Sequence, residues 1–245
     1  MKLVENPAAA KAVLEEAIER ANAKERTPGL HVSDLISCRR RAWYKRRGIL
    51  PPVTTSQEQE SIFLLGQGHH RVLQPSDYAE IAFMIIDTDA QENIHGHIDA
   101  YWPQNPLWGQ PTEIKSTRYS SSKDAATDTP HYIEQLAAYV LGMGVTRGRL
   151  LVWYMMGNYA DQRAPVLKAY DIEFSQHELD AWREELLNRK EIILAPDPPD
   201  VLDSNHYKWE CEYCPYSHKR GGLCETGKGD DTPFFFNTQP PNWSI

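Results

Sequence analysis

The sequence has no long uninterrupted apolar run. Nothing in it approaches the roughly 20 apolar residues of a membrane-spanning helix, and the charged, Ala- and Glu-rich first 25 residues do not follow the pattern of a secretory signal peptide. An internal repeat is absent, and so is the Walker A loop that would mark a nucleotide-driven motor. We therefore expect a cytoplasmic protein that has no membrane partner.

An excess of basic charge is also absent. The chain has 26 Lys and Arg against 34 Asp and Glu, for a net charge of −8. This balance excludes the uniformly basic surface of a nucleic-acid-coating protein, because neutralising phosphates requires Lys and Arg. The charge is uneven, however, since residues 31 to 50 hold six basic side chains and one acidic one, or +5. A localised basic surface is therefore not excluded.

With 245 residues, of which 41% are hydrophobic, the chain is long enough for one sizeable core with appendages. Its patterns predict helices over Pro7 to about Arg26, Asp34–Arg47 (capped by Ser33), 58–73 and 130–141, and a long helix capped by Ser175. They predict strands over 79–87, 94–102, 110–116, 149–155 and 166–174. This order predicts an α/β fold with one mixed central sheet flanked by helices. The expected divisions are an N-terminal helix (1–30), a central domain (31–224) and a C-terminal tail (225–245).

The most informative stretch is Gly96-His97-Ile98-Asp99, followed 14 residues after the aspartate by Glu113-Ile114-Lys115. Side chains alternate along a strand, so Glu113 and Lys115 share one face. If the preceding strand lies alongside, Asp99 reaches the same point, and two converging carboxylates suit Mg²⁺ or Mn²⁺. The alternative is a solvated strand pair with a surface aspartate.

Two further patterns accompany these acids. Upstream, Gly66 and His70 form a helical G-x-x-x-H, and downstream, Gln135 and Tyr139 lie four residues apart on one helix face. The ordered set G-x-x-x-H, G-x-x-D, E-x-K and Q-x-x-x-Y resembles the PD-(D/E)xK nuclease superfamily, and within it the RecB-like branch.

The resemblance implies a restriction-endonuclease-like core and a role for each matching residue. The implied metal ligands are His70, Asp99, Glu113 and the carbonyl of Ile114, with His69 as the alternative to His70. Lys115 is the implied catalytic lysine, acting with Asp99 and Glu113, while Gln135 and Tyr139 organise the substrate or the site. The first acidic motif has Ile98 where the superfamily name has Pro, which leaves the ligand unchanged.

The four cysteines are Cys38, Cys211, Cys214 and Cys224. In a reducing compartment, an even number that includes a C-x-x-C points to metal chemistry, and four thiolates suit zinc or an iron-sulfur cluster. The spacing of one N-terminal and three C-terminal cysteines resembles that of RecB-like nucleases with a 4Fe-4S cluster, including AddB-type helicase-nucleases and the CRISPR-associated Cas-four family. The resemblance implies a 4Fe-4S cluster that staples the two ends of the domain, with Zn²⁺ as the alternative.

A cluster of basic residues directly follows Cys38 and is interleaved with two aromatic ones. Cations hold phosphates and aromatic rings stack on bases, so this composition favours single-stranded DNA. The alternative is a solvated charged helix with Trp43 in the core. The predicted DNA-binding residues are Arg39, Arg40, Arg41, Trp43, Tyr44, Lys45, Arg46 and Arg47.

Taken together, the resemblance implies a Mg²⁺- or Mn²⁺-dependent exonuclease that acts on single-stranded DNA ends with 5'-to-3' polarity. It would work in DNA processing or CRISPR adaptation, and the implied partners are DNA and proteins of CRISPR adaptation or viral recombination. The alternative is a nuclease-fold subunit that binds DNA ends within a larger complex and cleaves little.

Overall fold

The computed structural model describes residues 7–22, 28–51, 57–75, 79–87, 92–123, 128–160, 164–201 and 208–224. The helices are α1 (Pro7–Asn22), α2 (Val32–Ile36), α3 (Arg39–Arg46), α4 (Gln57–Leu73), α5 (Pro130–Gly142), α6 (Gln176–Leu194) and α7 (Lys208–Tyr213). The strands are β1 (Leu30–His31), β2 (Ala79–Ile85), β3 (Ile94–Ala100), β4 (Thr112–Thr117), β5 (Arg147–Tyr154) and β6 (Val166–Glu173). The predicted tail, 225–245, lies outside the described residues.

The strands form one mixed sheet. β3 pairs antiparallel with β2 along its whole length, and its other edge pairs with β1 at its beginning and with β4 at its end. β4 and β5 are parallel, and α5 makes the crossover between them, whereas β5 and β6 are antiparallel. The predicted mixed central sheet flanked by helices is therefore confirmed.

A phenylalanine between β3 and α5 fixes the distance between sheet and helix. A side chain at Gly96 or at Gly142 would overlap the ring of Phe83, so two glycines make room for one aromatic ring. That ring also contacts Tyr139 edge to face, with centroids 5.4 Å apart. The glycine of the G-x-x-D motif thus helps to place the helix that carries Tyr139.

The long helix α6 forms as its sequence predicts. The Ser175 hydroxyl accepts a hydrogen bond from the Glu178 amide, and the Glu178 carboxylate accepts one from the Ser175 amide at 2.8 Å, which completes a capping box. The predicted apolar face is buried in the core, as seen for Trp182 and Leu186. A buried ion pair between Arg189 and Glu134 (3.1 Å) joins α6 to α5.

The prediction of one helix over Asp34–Arg47 is wrong. The chain forms two helices, α2 and α3, and it is His31 rather than Ser33 that caps the first. Ser37 is extended, and its hydroxyl donates to the Ser33 carbonyl at 2.7 Å. The Cys38 amide, which would bond within a continuous helix, donates instead to the Glu210 carboxylate at 3.3 Å. The break therefore places Cys38 against the C-terminal segment.

Within the described parts of the chain, no helix is both long enough and apolar enough to cross a bilayer.

Candidate active site and cysteine cavity

The candidate site lies where β3 and β4 separate. These two strands pair at one position, Ala100 with Thr112. Next to it, the Asp99 carboxylate accepts a hydrogen bond from the Ile114 amide at 2.7 Å. The Asp99 side chain thus takes the place of the backbone carbonyl that would accept this bond if the two strands were paired here. The split in the sheet therefore brings the acid of the first motif to the middle of the second.

Glu113 and Lys115 meet inside this crevice. The Glu113 side chain is fully buried, and its Oε1 contacts the Lys115 ammonium. Lys115 and the Tyr139 hydroxyl both interact with this carboxylate, although within the described residues no hydrogen bond of ordinary geometry reaches either oxygen. A buried carboxylate held only by such contacts is costly, and a bound cation would satisfy its oxygens.

Helix α5 supplies the polar groups that hold the lysine. Lys115 Nζ donates to Gln135 Oε1 at 2.9 Å, and Gln135 Nε2 donates to the Tyr139 hydroxyl at 2.6 Å. The two bonds fix which end of the Gln135 amide faces the lysine. The Q-x-x-x-Y pair therefore forms one continuous chain of hydrogen bonds that ends on Lys115.

Burial changes the acid strength of the two carboxyl groups. Burial raises the pKa of Asp99 to about 6, although Lys115 and the Ile114 amide act in the opposite direction. Burial, with the nearby Asp99 charge, raises the pKa of Glu113 to about 7. Burial by itself would lower the pKa of Lys115, but the two carboxylates outweigh it and raise the pKa above its usual value. Lys115 is therefore an ammonium at neutral pH.

Of the two adjacent histidines on α4, His70 faces the acids. Its Nδ1 lies 3.8 Å from Asp99 Oδ2, and burial followed by the Lys115 charge lowers its pKa. The His69 ring instead contacts Trp153 edge to face at 5.1 Å. A hydrogen bond from Gln74 to the Asp99 carbonyl (3.2 Å) ties the end of α4 to β3. The spacing from Gly66 and the structure therefore both favour His70 over His69 as the histidine next to the two acids.

The donor set suits a hard divalent cation. Two carboxylates, a backbone carbonyl and a neutral imidazole match the preferences of Mg²⁺ and Mn²⁺. Within the described parts of the chain, no three His, Cys, Asp or Glu side chains already stand in a metal-binding arrangement. Lys115 contacts only Oε1 of Glu113, so Oε2 is the oxygen of this carboxylate that is open to a cation.

Tyr132 is a residue of this site that the sequence argument missed. The Lys115 ammonium lies 5.6 Å from the centre of its ring, and the Tyr132 hydroxyl interacts with the Thr117 side chain. It precedes Gln135 by three residues and Tyr139 by seven, so the three side chains share one helix face. This spacing was the signal that could have identified it.

The structure brings all four cysteines to one cavity, although Cys38 and Cys211 are 173 residues apart in the sequence. None of them forms a disulfide. Burial raises the pKa of Cys38 and of Cys211 to about 12 and raises that of Cys214, so these three thiols are neutral without a cation. Metal binding to this set would displace their protons.

The cavity wall includes a buried carboxylate and a pair of aromatic rings. Glu210 accepts from the Cys38 amide and pairs with Arg41, both at 3.3 Å, which joins α3 to α7. The rings of Tyr44 and Tyr216 stack with centroids 5.1 Å apart. Glu210 directly precedes Cys211, but no sequence pattern indicated its role.

The predicted DNA-binding role of α3 is corrected for its buried members. Arg39 is 1% exposed and pairs with Glu185, because α3 packs against α6. The Trp43 indole is buried and donates to the Ala195 carbonyl at 2.9 Å. Tyr44 is buried against the cysteine cavity. Neither aromatic ring is available for stacking on a base.

The other basic residues of this segment also contact protein groups. Arg40 donates to the Pro199 carbonyl, Arg41 pairs with Glu210, and Arg46 forms two bonds with Glu92. Arg47 donates to the last carbonyls of α6 and lies over the Trp43 ring, 3.9 Å from its centre. Lys45 is exposed. The +5 charge of this segment therefore mainly neutralises acids and helix ends of the protein itself.

Comparisons with known proteins support the fold. No protein-family model and no curated protein sequence matches the chain. Among solved structures, the crystal structure of SSO0001 matches with a TM-score of 0.53 and 19% identity, over 89% of this chain and 96% of that chain. A phage related exonuclease from Haemophilus somnus 129PT matches with a TM-score of 0.28 and 13% identity, over 77% and 81%. The first likeness shows a shared fold, and the second is too distant to support an argument.

Proposed function

We propose that this protein is a metal-dependent deoxyribonuclease that hydrolyses phosphodiester bonds from single-stranded DNA ends. The observation that carries the proposal is the convergence of Asp99, Glu113 and Lys115 in one crevice of the sheet. The resemblance to the RecB-like nucleases supplies the finer parts of the proposal, which are DNA as substrate, single-stranded ends and 5'-to-3' polarity.

The proposed cofactor is Mg²⁺ or Mn²⁺, held by Asp99, Glu113, the Ile114 carbonyl and His70. When bound, such an ion acts as a Lewis acid toward the scissile phosphate and lowers the pKa of a bound water. The protein contributes the charge of the site: both carboxylates are buried, so they attract a cation more strongly than solvated acids do.

Lys115 acts as a hydrogen-bond donor in this proposal. Its raised pKa keeps it charged, so it orients the attacking water and stabilises negative charge rather than removing a proton. Gln135 and Tyr139 hold the ammonium in place through the chain of bonds described above, which makes them positioning residues. Their contribution is geometric.

The proposal is tested by degradation of end-labelled single-stranded DNA with Mn²⁺ or Mg²⁺. Lys115→Ala removes the only cation shown to contact Glu113 within the described residues, and we expect on the order of a 100-fold loss of rate. Lys11→Ala is the matched control, since Lys11 is an exposed lysine on α1. Equal rates for wild type and Lys115→Ala would overturn the assignment of the site.

The same assay separates the alternative function. A nuclease-fold subunit that recognises DNA ends would bind the labelled strand without degrading it under either metal. Labels at the 5' and the 3' end, compared in parallel, report the polarity. Partners in CRISPR adaptation or viral recombination remain a prediction from the resemblance.

For the cysteine cavity we propose a 4Fe-4S cluster held by Cys38, Cys211, Cys214 and Cys224, with Zn²⁺ as the alternative. Four thiols that line one cavity without a disulfide support a four-thiolate site. Bound metal would tie α3 to the C-terminal segment and so stabilise the domain. Protein purified without oxygen should contain iron and absorb visible light. If it contains zinc but no iron, the site is a Zn²⁺ site instead of a 4Fe-4S cluster. If it contains neither metal, both assignments are overturned.

A further inference from the structure

Two adjacent loops present exposed aromatic and basic side chains beside the candidate site. The first follows β4 and carries Arg118 and Tyr119, and the second follows β5 and carries Tyr159. Tyr119 is 44% exposed and Tyr159 is 52% exposed. Among the described residues, no acid forms an ion pair with Arg118, whereas Arg39, Arg41 and Arg46 of α3 are each paired with a glutamate. We call these three residues the loop surface.

The loop surface is held in a fixed conformation by hydrogen bonds between the loops. The Ser121 amide donates to the Gly157 carbonyl at 2.9 Å, and the Tyr159 amide lies 3.4 Å from the Ser120 hydroxyl. The Tyr159 hydroxyl donates to the Arg118 carbonyl. Exposed side chains on bonded loops lose less conformational entropy on binding than those on free loops.

A chain of contacts connects the loop surface to the catalytic lysine. Tyr119 follows Lys115 by four residues, and both interact with Tyr132 on α5. Tyr132 interacts electrostatically with Tyr119 and with Lys115, whose ammonium is 5.6 Å from the Tyr132 ring centre. A nucleotide on this surface would therefore adjoin the site at which the phosphodiester reacts.

We propose that the loop surface binds the single-stranded nucleic acid segment next to the scissile phosphate. Its tyrosine faces stack on bases, and the Arg118 guanidinium pairs with a backbone phosphate. Stacking on aromatic rings tolerates any base, and a single exposed arginine adds charge without base readout, so the site is sequence-independent. This inference rests on the proposed nuclease function and places its substrate on these loops rather than on α3.

Binding is measured by fluorescence anisotropy of a labelled single strand in EDTA, which prevents cleavage. Tyr119→Ala should weaken binding on the order of 10-fold, whereas Tyr119→Phe, which keeps the ring, should bind like wild type. Arg118→Gln should weaken binding and reduce the slope of log affinity against log salt by about 0.7, the value for one phosphate contact to a single strand. Arg147→Gln is the control, because Arg147 is an exposed arginine at the other end of β5.

A second readout reports stacking directly. Strands that carry 2-aminopurine at successive positions should show a quenched position with wild type and with Tyr119→Phe, and recovered fluorescence with Tyr119→Ala. If wild type binds the strand but Tyr119→Ala and Arg118→Gln bind equally well, the loop surface is overturned and the nuclease proposal stands. If wild type binds no single strand, the proposed function is overturned together with this site.

Discussion

Binding of Mn²⁺ should release protons from this protein near neutral pH. The proposed ligands Asp99 and Glu113 have pKa values raised to about 6 and about 7, so both are partly protonated where ordinary carboxylates are fully ionised. A cation binds the ionised forms and therefore displaces those protons. Burial also lowers the pKa of His70, so less than half of this imidazole is protonated at pH 6.5.

The number of protons follows from the two pKa values. At pH 6.5, Glu113 is roughly 0.8 protonated and Asp99 roughly 0.2, so saturation with Mn²⁺ releases about one proton from these two carboxyl groups. At pH 8 the same arithmetic leaves about 0.1 proton. With ordinary pKa values the release at pH 6.5 would be close to zero.

Isothermal titration calorimetry in two buffers of different ionisation enthalpy measures this number directly. Glu113→Gln removes the larger share of the carboxyl protons, so the release at pH 6.5 should fall by roughly 0.8 proton relative to wild type. Wild-type protein that binds Mn²⁺ at pH 6.5 without proton release would refute the argument that burial controls these carboxylates.

The same raised pKa values determine how stability depends on pH without metal. Because the folded pKa of each group lies above its unfolded value, its stabilising effect is fully present below about pH 4 and is lost as pH rises through 6 to 7. Metal-free protein should therefore melt at a lower temperature at pH 8 than at pH 5.5, and Mn²⁺ should raise the melting temperature most at pH 8.

Three substitutions test other parts of the structure. Tyr139→Phe removes the hydroxyl that accepts from the Gln135 amide, and the cleavage rate should fall roughly 5- to 10-fold. DNA affinity in EDTA should stay constant, whereas a general folding defect would lower both the rate and the affinity. Glu210→Ala leaves the buried Cys38 amide and the Arg41 guanidinium unpaired, and it should cost on the order of 3 kcal/mol of unfolding free energy and most of the iron of the proposed cluster; exposed Glu212→Ala should change neither. Arg47→Ala removes the bonds to the end of α6 and should cost about 1 to 2 kcal/mol in chemical denaturation; a loss of DNA affinity at unchanged stability would contradict the structural role given to Arg47.

Local patterns predicted most of the elements well. The capping box at Ser175 and the apolar face of α6 are short-range features, and the structure forms both as expected. The break at Ser37 was not predicted, because the residues on either side have helical composition. It forms because the Cys38 amide finds a partner in Glu210, which lies 172 residues away.

For the candidate site, the sequence by itself determined which of the candidate residues share a strand or a helix face. Spacing sufficed for this, because the period of a strand or helix places neighbours within one element. Only the tertiary structure decided that the split between β3 and β4 brings Asp99 to Glu113, and that Cys38 joins the other cysteines.

The basic segment after Cys38 illustrates the same division. Its composition determined the charge of residues 31–50, but not whether that charge meets solvent or protein. Arg39 and Arg47 are paired by groups about 146 residues further along the chain, on α6. Burial is a property of the packed elements, so a pattern within twenty residues cannot determine it. Tertiary packing therefore buries Arg39, Trp43 and Tyr44 of α3, whereas Arg118, Tyr119 and Tyr159 in the loops after β4 and β5 stay exposed.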